Sequence, residues 1–517
     1  MDFAIDPRTV REIELKPGDF SIEEFVAIAR YGAKLSFSEA YRQRVDRTRN
    51  LVVKFLEEKR VVYGVTTGFG DNVSKSVSPE DAARLQENII RSHAVSVGKP
   101  LDPEEVRAVQ LIQILNTGRG YSGVSTELLD QIKNLLNAGI VPFAPGEGVA
   151  GGLSVEGQTA LVLMGEGRAY YQGELMSGAE ALAKAGIAPY RVKAKEGLSM
   201  LNGSTSAAGL AVMAVYDSML LTKTSEIMSA MSFETNKGTI KALDPRMMSV
   251  KRHSEQQESA ENILRMLEGS PVAQANINNR IQDAYSLRLA PHMYGGVKRV
   301  LKEAALSVWE ELNSCSDNPV IFPEGDDGIA LMGGNFDRTY LSLHMDATCV
   351  AMAHIAKLTE RRVDRLTNRH FTDLPPFLVK NPGLNSGFMI VQYTAAGLVS
   401  EIRILAQPAS IDSIPTSANQ EDPITFGYFA SRKAYDLARK LEYLLAVELM
   451  TQVQAMDLME GAKFSPVTEA VRSLVRAQVP TVDEDRHFYP DIEVIKNMIA
   501  SGEIINCVEN KIGKLKF

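Results

Sequence analysis

Between Gly146 and Gly157 the chain reads GEGVAGGLSVEG. Gly146, Gly148 and Gly151 have the G-x-G-x-x-G spacing with which a tight strand-to-helix turn brings backbone N–H groups up to a pyrophosphate. That chemistry needs a buried strand before the turn and further βαβ units after it. The preceding NAGIVPFAP carries Pro142 and Pro145, which fit poorly in a central strand, and downstream the pattern is helix after helix. These glycines therefore read as a tight turn and not as a dinucleotide cradle.

Other chemistry-bearing residues gather in polar loops: SMLNGSTS, NRIQDAYSLRLAPH, NSCSDNPVIF, MGGNF, NPGLNSGFM and PTSANQED. Polar side chains presented at the ends of rigid helices are where binding and catalysis usually sit. The same Asn, Ser, Thr and Asp residues are also good helix caps, so each loop taken alone has a purely structural reading. Tyr63 stands among Gly64, Gly68 and Gly70, which favour a mobile lid carrying a phenol. Arg288 offers a planar fork suited to pairing with a carboxylate.

The elements that must hold these loops are mostly helical. SAAGLAVMAVYDSMLLTKTSEIMSAMS repeats apolar residues at three- and four-residue spacing for about seven turns. RTYLSLHMDATCVAMAHIAKLTERRVDRL, GFMIVQYTAAGLVSEIRILA and GYFASRKAYDLARKLEYLLAVELMTQVQAMDLME share that pattern. Helices apolar over most of their circumference must be covered on several sides, which predicts a central bundle packed against neighbouring subunits. The fold class is mainly α: a long central helical bundle over 204–517, with a smaller mixed N-terminal part over 1–203. In that part TELLDQIKNLLNAG should end on Gly139 as a C-cap.

Composition narrows the partners. The 517 residues carry a net charge of −8, against the basic footprint that nucleic acid or an anionic membrane requires. Cys315, Cys349 and Cys507 are too few and too scattered for a disulfide framework or a zinc site, so reduced packing thiols in a cytoplasmic protein are expected. The opening MDFAIDPRTVREIELKPG does not read as a signal peptide, and no uncharged apolar run of about eighteen residues marks a membrane span.

At these same loops the chain resembles the aromatic amino acid lyases, the histidine ammonia-lyases above all. The matching blocks, in order, are VYGVTTGFG, SHAVSVGKPL, GLSMLNGS, QDAYSLRLAP, SDNPVIF, GGNF, GLNSGFM and PTSANQEDPI, with EDRHFYPDIE near the end. The resemblance implies a mostly helical homotetramer whose sites combine loops of several subunits, and a small-molecule amino acid or betaine substrate. It also implies an electrophile, methylidene-imidazolone, cyclised from an Ala-Ser-Gly tripeptide in the backbone. Here that tripeptide falls on Val149, Ala150 and Gly151, and the serine that would lose water is absent. No backbone electrophile, metal or other cofactor is therefore expected. An amine that leaves without activation is favoured, as in the family's ergothionases, which release trimethylamine from ergothioneine and leave thiourocanate.

Carried over residue by residue, the resemblance makes Tyr63 the base for the β-proton. An ordinary phenol is only about 0.1% ionised at pH 7, a deficit of roughly 4 kcal/mol that neighbouring positive charge must offset. Arg288 would bind the substrate carboxylate, and Tyr285, Gln282, Asn202 and Asn335 would line the site. His93, after Ser92, and Glu421 would face an imidazole ring. Phe336 would pack on the ring or on a quaternary ammonium, and Lys380 would donate to a thione sulfur. Two alternatives stay open: a histidine ammonia-lyase giving urocanate and ammonia, and a non-catalytic relative kept as a binding or scaffold protein.

Overall fold

The computed structural model describes residues 5–517; residues 1–4, where the N-terminal stretch read above begins, lie outside the described residues. The helix Thr205–Thr235 runs through the centre, and of its 31 residues only Leu220 escapes full burial. Pro103–Thr117, Ala290–Leu312 and Gly427–Leu458 pack around it. Thr339–Thr367 lies against the last two of these helices, so the expected central bundle is present. The stretch Glu196–Thr235 is long and apolar enough to cross a membrane, yet 94% of its most apolar window is covered by the rest of the chain. It is the core helix of a bundle.

One helix departs from the expected burial. Met389–Leu405 buries only Val391, Ala395, Val399 and Ile402, a single helical stripe, and leaves Ile390, Tyr393 and Ile404 exposed on the chain. Its apolar residues do wrap most of the circumference, but within one chain only one side finds a neighbour.

Polar residues inside the bundle are tied together. Arg362, fully buried, reaches Glu448 with Nη2 to Oε2 at 2.8 Å. It also donates to the Ser229 hydroxyl at 2.7 Å and to the Tyr294 hydroxyl at 3.0 Å. One guanidinium thus links four helices, and each partner supplies what burial removed.

The N-terminal part is built from shorter pieces whose ends are marked locally. Thr126–Ala138 starts on Ser125, which accepts from the Leu128 N–H, and stops on left-handed Gly139, as its sequence predicts. Strands are short: Glu12–Leu15 pairs in parallel with Lys34–Phe37, and Val320–Glu324 forms a hairpin with Asp327–Leu331. Among the described residues no parallel sheet follows the glycine turn, as the dinucleotide reading would require.

Candidate active site

Four of the six polar loops, those at Asn202, Asn318, Phe336 and Glu421, meet around a cavity of about 980 Å³. Its wall includes the Tyr63 loop, the end of helix Ala82–His93, the turn at Ala150 and Gly151, Asn202, Phe336 to Arg338, and the segment Thr416–Thr425. Of the residues proposed from sequence, Tyr63, His93, Asn202, Phe336 and Glu421 line this one cavity.

Tyr63 stands half-buried with its ring edge-on to Phe69, and its hydroxyl oxygen accepts the Gly70 N–H at 2.8 Å. The lid segment therefore holds the phenol oxygen that it also covers. His93 is the last residue of its helix, and its Nδ1 lies 2.8 Å from the Ile89 carbonyl. That carbonyl can only accept, so Nδ1 carries the proton and Nε2 keeps its lone pair. Burial holds His93 below the ordinary imidazole value, outweighing the Ile89 carbonyl and the charge of Glu421. Gly157 sets this helix end: a Cβ there would stand 2.8 Å from the Ala94 nitrogen, so a side chain would push the two helices apart. Glu421 closes the turn at Thr416 and accepts from its hydroxyl at 2.7 Å.

The turn at 149–151 does not fit the cyclised electrophile. Val149 is fully buried, Ala150 carries a methyl group where a hydroxyl would have to leave, and no glycine follows Ser154. The Asn202 amide, whose counterpart would help hold such a group, donates instead to the Asn318 carbonyl at 2.7 Å.

Other proposed residues lie elsewhere in the chain. Asn335 faces a neighbouring cavity of about 600 Å³ and donates to the Cys315 carbonyl at 3.5 Å. Arg288 donates to the Asp283 carbonyl at 2.9 Å and stacks over the Tyr285 ring at 4.6 Å. Tyr285 and Gln282 are exposed. None of these three lines the cavity of its own chain. Lys380 is also outside it, exposed and paired with Asp483 at 3.2 Å, so within this chain it has no route to a ring in the cavity. Lys380 and Asp483 are both solvated, with side chains 57% and 66% exposed.

One cavity residue was missed from the sequence. Arg338 reads there as the first residue of an apolar helix, but its side chain turns inward and is 94% buried, being 6% exposed. Nothing in its neighbours' spacing signals that depth; only the two small residues that make room for it, Gly152 and Gly427, hint at a large group nearby.

A sequence profile of the aromatic amino acid lyase family matches residues 20–477. The histidine ammonia-lyase of Alkaliphilus oremlandii is 39% identical over 506 residues, covering 97% of this chain and 99% of that protein. The structure of histidine ammonia-lyase from Trypanosoma cruzi superimposes with a TM-score of 0.90 at 33% identity, covering 97% and 96% of the two chains. Ergothionase from Treponema denticola superimposes at 0.88 but is only 26% identical, covering 96% and 100%. These likenesses overturn the expectation of an ergothionase: the relatives that match this chain at 39% identity over nearly its full length are histidine ammonia-lyases. The missing serine argued for a different leaving group, but a leaving group is not read from one turn when the rest of the chain follows the histidine enzymes. The chain belongs to the aromatic amino acid lyase family and is a carbon–nitrogen lyase.

Proposed function

We propose that this enzyme eliminates the amino group of an imidazole-bearing α-amino acid, histidine foremost, giving urocanate and ammonia, and does so without a backbone-derived electrophile. The observation that carries the reading is the meeting of Tyr63, His93 and Glu421 around one cavity, in a chain whose relatives are histidine ammonia-lyases. His93 Nε2 accepts from one imidazole N–H of the substrate, and the Glu421 carboxylate stands ready for the other when the ring is protonated. Tyr63 as phenolate removes the β-proton, the freed electron pair forms the Cα–Cβ double bond, and the C–N bond breaks. The ammonium form of the substrate thus releases ammonia, which takes the proton back from the Tyr63 hydroxyl.

Ala150 supports the electrophile-free part of the reading, because it has no hydroxyl to lose. Each 1.36 kcal/mol of leaving-group assistance that is absent costs tenfold in rate, so turnover should be slow. A homotetramer in the cytoplasm belongs to the same reading: the exposed apolar faces of Met389–Leu405 would be covered by neighbouring subunits. Arg288, Tyr285 and Gln282, which stand outside their own chain's cavity, would then complete a neighbour's site, Arg288 facing the carboxylate.

The test is purified protein with L-histidine, followed by urocanate absorbance and released ammonia, beside the Tyr63→Phe variant. Urocanate should accumulate, and the variant should slow it by about a hundredfold or more, the usual worth of a positioned base. No urocanate from histidine, or amine release only from N-methylated analogues, would overturn the reading.

A further inference from the structure

Beneath the turn at Val149–Gly152 lies a buried charge that the elimination chemistry leaves unused. Arg338 lines the cavity at its floor, and among the described residues its guanidinium donates only to the Gly203 carbonyl. Its Nε is buried without a partner, and no carboxylate forms an ion pair with it. An arginine so deep normally fills its fork of donors, since each orphaned donor costs free energy.

The surroundings hold that guanidinium in place. Gly152, at φ +87°, passes so close that a Cβ there would lie 2.9 Å from Nη2, and a Cβ on Gly427 would lie 2.4 Å from the Arg338 Cβ. Two helices start at this point, Leu153–Leu163 from Gly152 and Thr205–Thr235 from Ser204; the second is capped by Glu156, which takes the Ser206 N–H, while the N-cap residue of the first has no side chain to offer. The N-terminus of Leu153–Leu163 adds partial positive charge to that of Arg338. The acids whose charge acts on Arg338 most form no ion pair with it, although Glu156 keeps its Oε2 buried without a hydrogen-bond partner. Glu156 accepts from the Thr205 hydroxyl at 2.6 Å and the Ser206 N–H at 2.7 Å, and Glu311 accepts from the Ser204 hydroxyl. Burial raises both carboxyls above the usual carboxylate range, and their charge works against, without reversing, the lowering that burial imposes on Arg338. Asp337 and Glu421 also line the cavity, on its more exposed side.

We infer that Arg338 is a substrate-binding residue: its free guanidinium edge, with the N-terminus of helix Leu153–Leu163, forms an anion subsite that takes the substrate carboxylate at the turn 149–152. A fixed cation there attracts a carboxylate and repels an ammonium, so the substrate presents its acid end to this turn and its amine away from it. A carboxylate has two oxygens and room for two guanidinium groups, so Arg338 on the floor is compatible with Arg288 from a neighbouring subunit. The inference rests on the proposed function only for the identity of the substrate, not for the subsite itself.

Calorimetric titration of the full-length protein with three probes separates these points: imidazolepropionate, 3-phenylpropionate and histamine, which lacks the carboxylate. Arg338→Gln should weaken both acids by about thirtyfold or more, the usual loss when one partner of a desolvated charge pair is removed. Arg338→Lys should recover part of that loss, and histamine should change by less than about threefold in either variant. Gly152→Ala, whose methyl group displaces the guanidinium, should weaken the acids selectively as well, which keeps the test open if Arg338→Gln folds poorly. The inference is overturned if the acids bind the variants as they bind the wild type, if histamine weakens as much as they do, or if the wild-type protein binds neither acid at millimolar concentration. Equal binding of the two acids, both dependent on Arg338, would uphold the subsite while counting against the imidazole reading.

Discussion

Arg362 and Arg338 are both arginines buried in this chain, under opposite conditions. Arg362 sits where four helices meet and is matched by Glu448, Ser229 and Tyr294. Burial alone would lower its pKa, but the charge of Glu448 and the hydrogen bonds outweigh it, and the net shift is upward. Arg338 sits under a cavity with one carbonyl for company; burial lowers its pKa, and the more distant acids do not reverse the shift. The difference teaches how to tell structure from site. A buried charge completed by its own chain holds the fold, and a buried charge left incomplete at a cavity wall is open to a ligand.

The contrast is broken most severely at Glu448. Glu448→Gln leaves the Arg362 charge buried without its counter-ion and should lower stability by about 3–5 kcal/mol, read by chemical denaturation of the folded protein. Arg338→Gln breaks no ion pair and should change stability by less than about 1 kcal/mol in the same measurement. Equal losses at the two positions would erase the distinction between them.

A smaller effect sharpens the picture at the other end of the cavity. His93 is held below its ordinary value of 6.5 by burial, so it stays neutral as pH falls to that point and protonates only below it. Protonation turns Nε2 from an acceptor into a donor and ends its bond to the substrate ring N–H. The elimination rate should therefore hold through pH 6.5 and fall on the acid side of it, and His93→Gln should remove that limb from the pH profile. An acid limb that survives His93→Gln unchanged would assign it to another group.

Much of this was legible in the sequence for a physical reason. Long apolar periodicities fix helices such as Thr205–Thr235, and a left-handed glycine such as Gly139 fixes a helix end. The family resemblance, carried over residue by residue, pointed to Tyr63, His93 and Glu421, and the fold brings all three to one cavity. Arg338 was not legible: a charged residue just ahead of an apolar helix reads as a solvated start, and only packing against Gly152 and Gly427 reveals that it points inward. Lys380, expected from its place before a polar loop to reach the ring, lies on the surface of its own chain beside Asp483. The leaving group was misread because Ala150 was allowed to outweigh the rest of the chain.

The central claim is that this lyase acts on a histidine-type substrate with an unmodified backbone at Val149–Gly151. Intact-mass measurement of the same preparation that converts histidine to urocanate tests it most directly. The account expects the full mass of the encoded chain in an active sample; a mass short by two waters would show that an electrophile had formed and would contradict it.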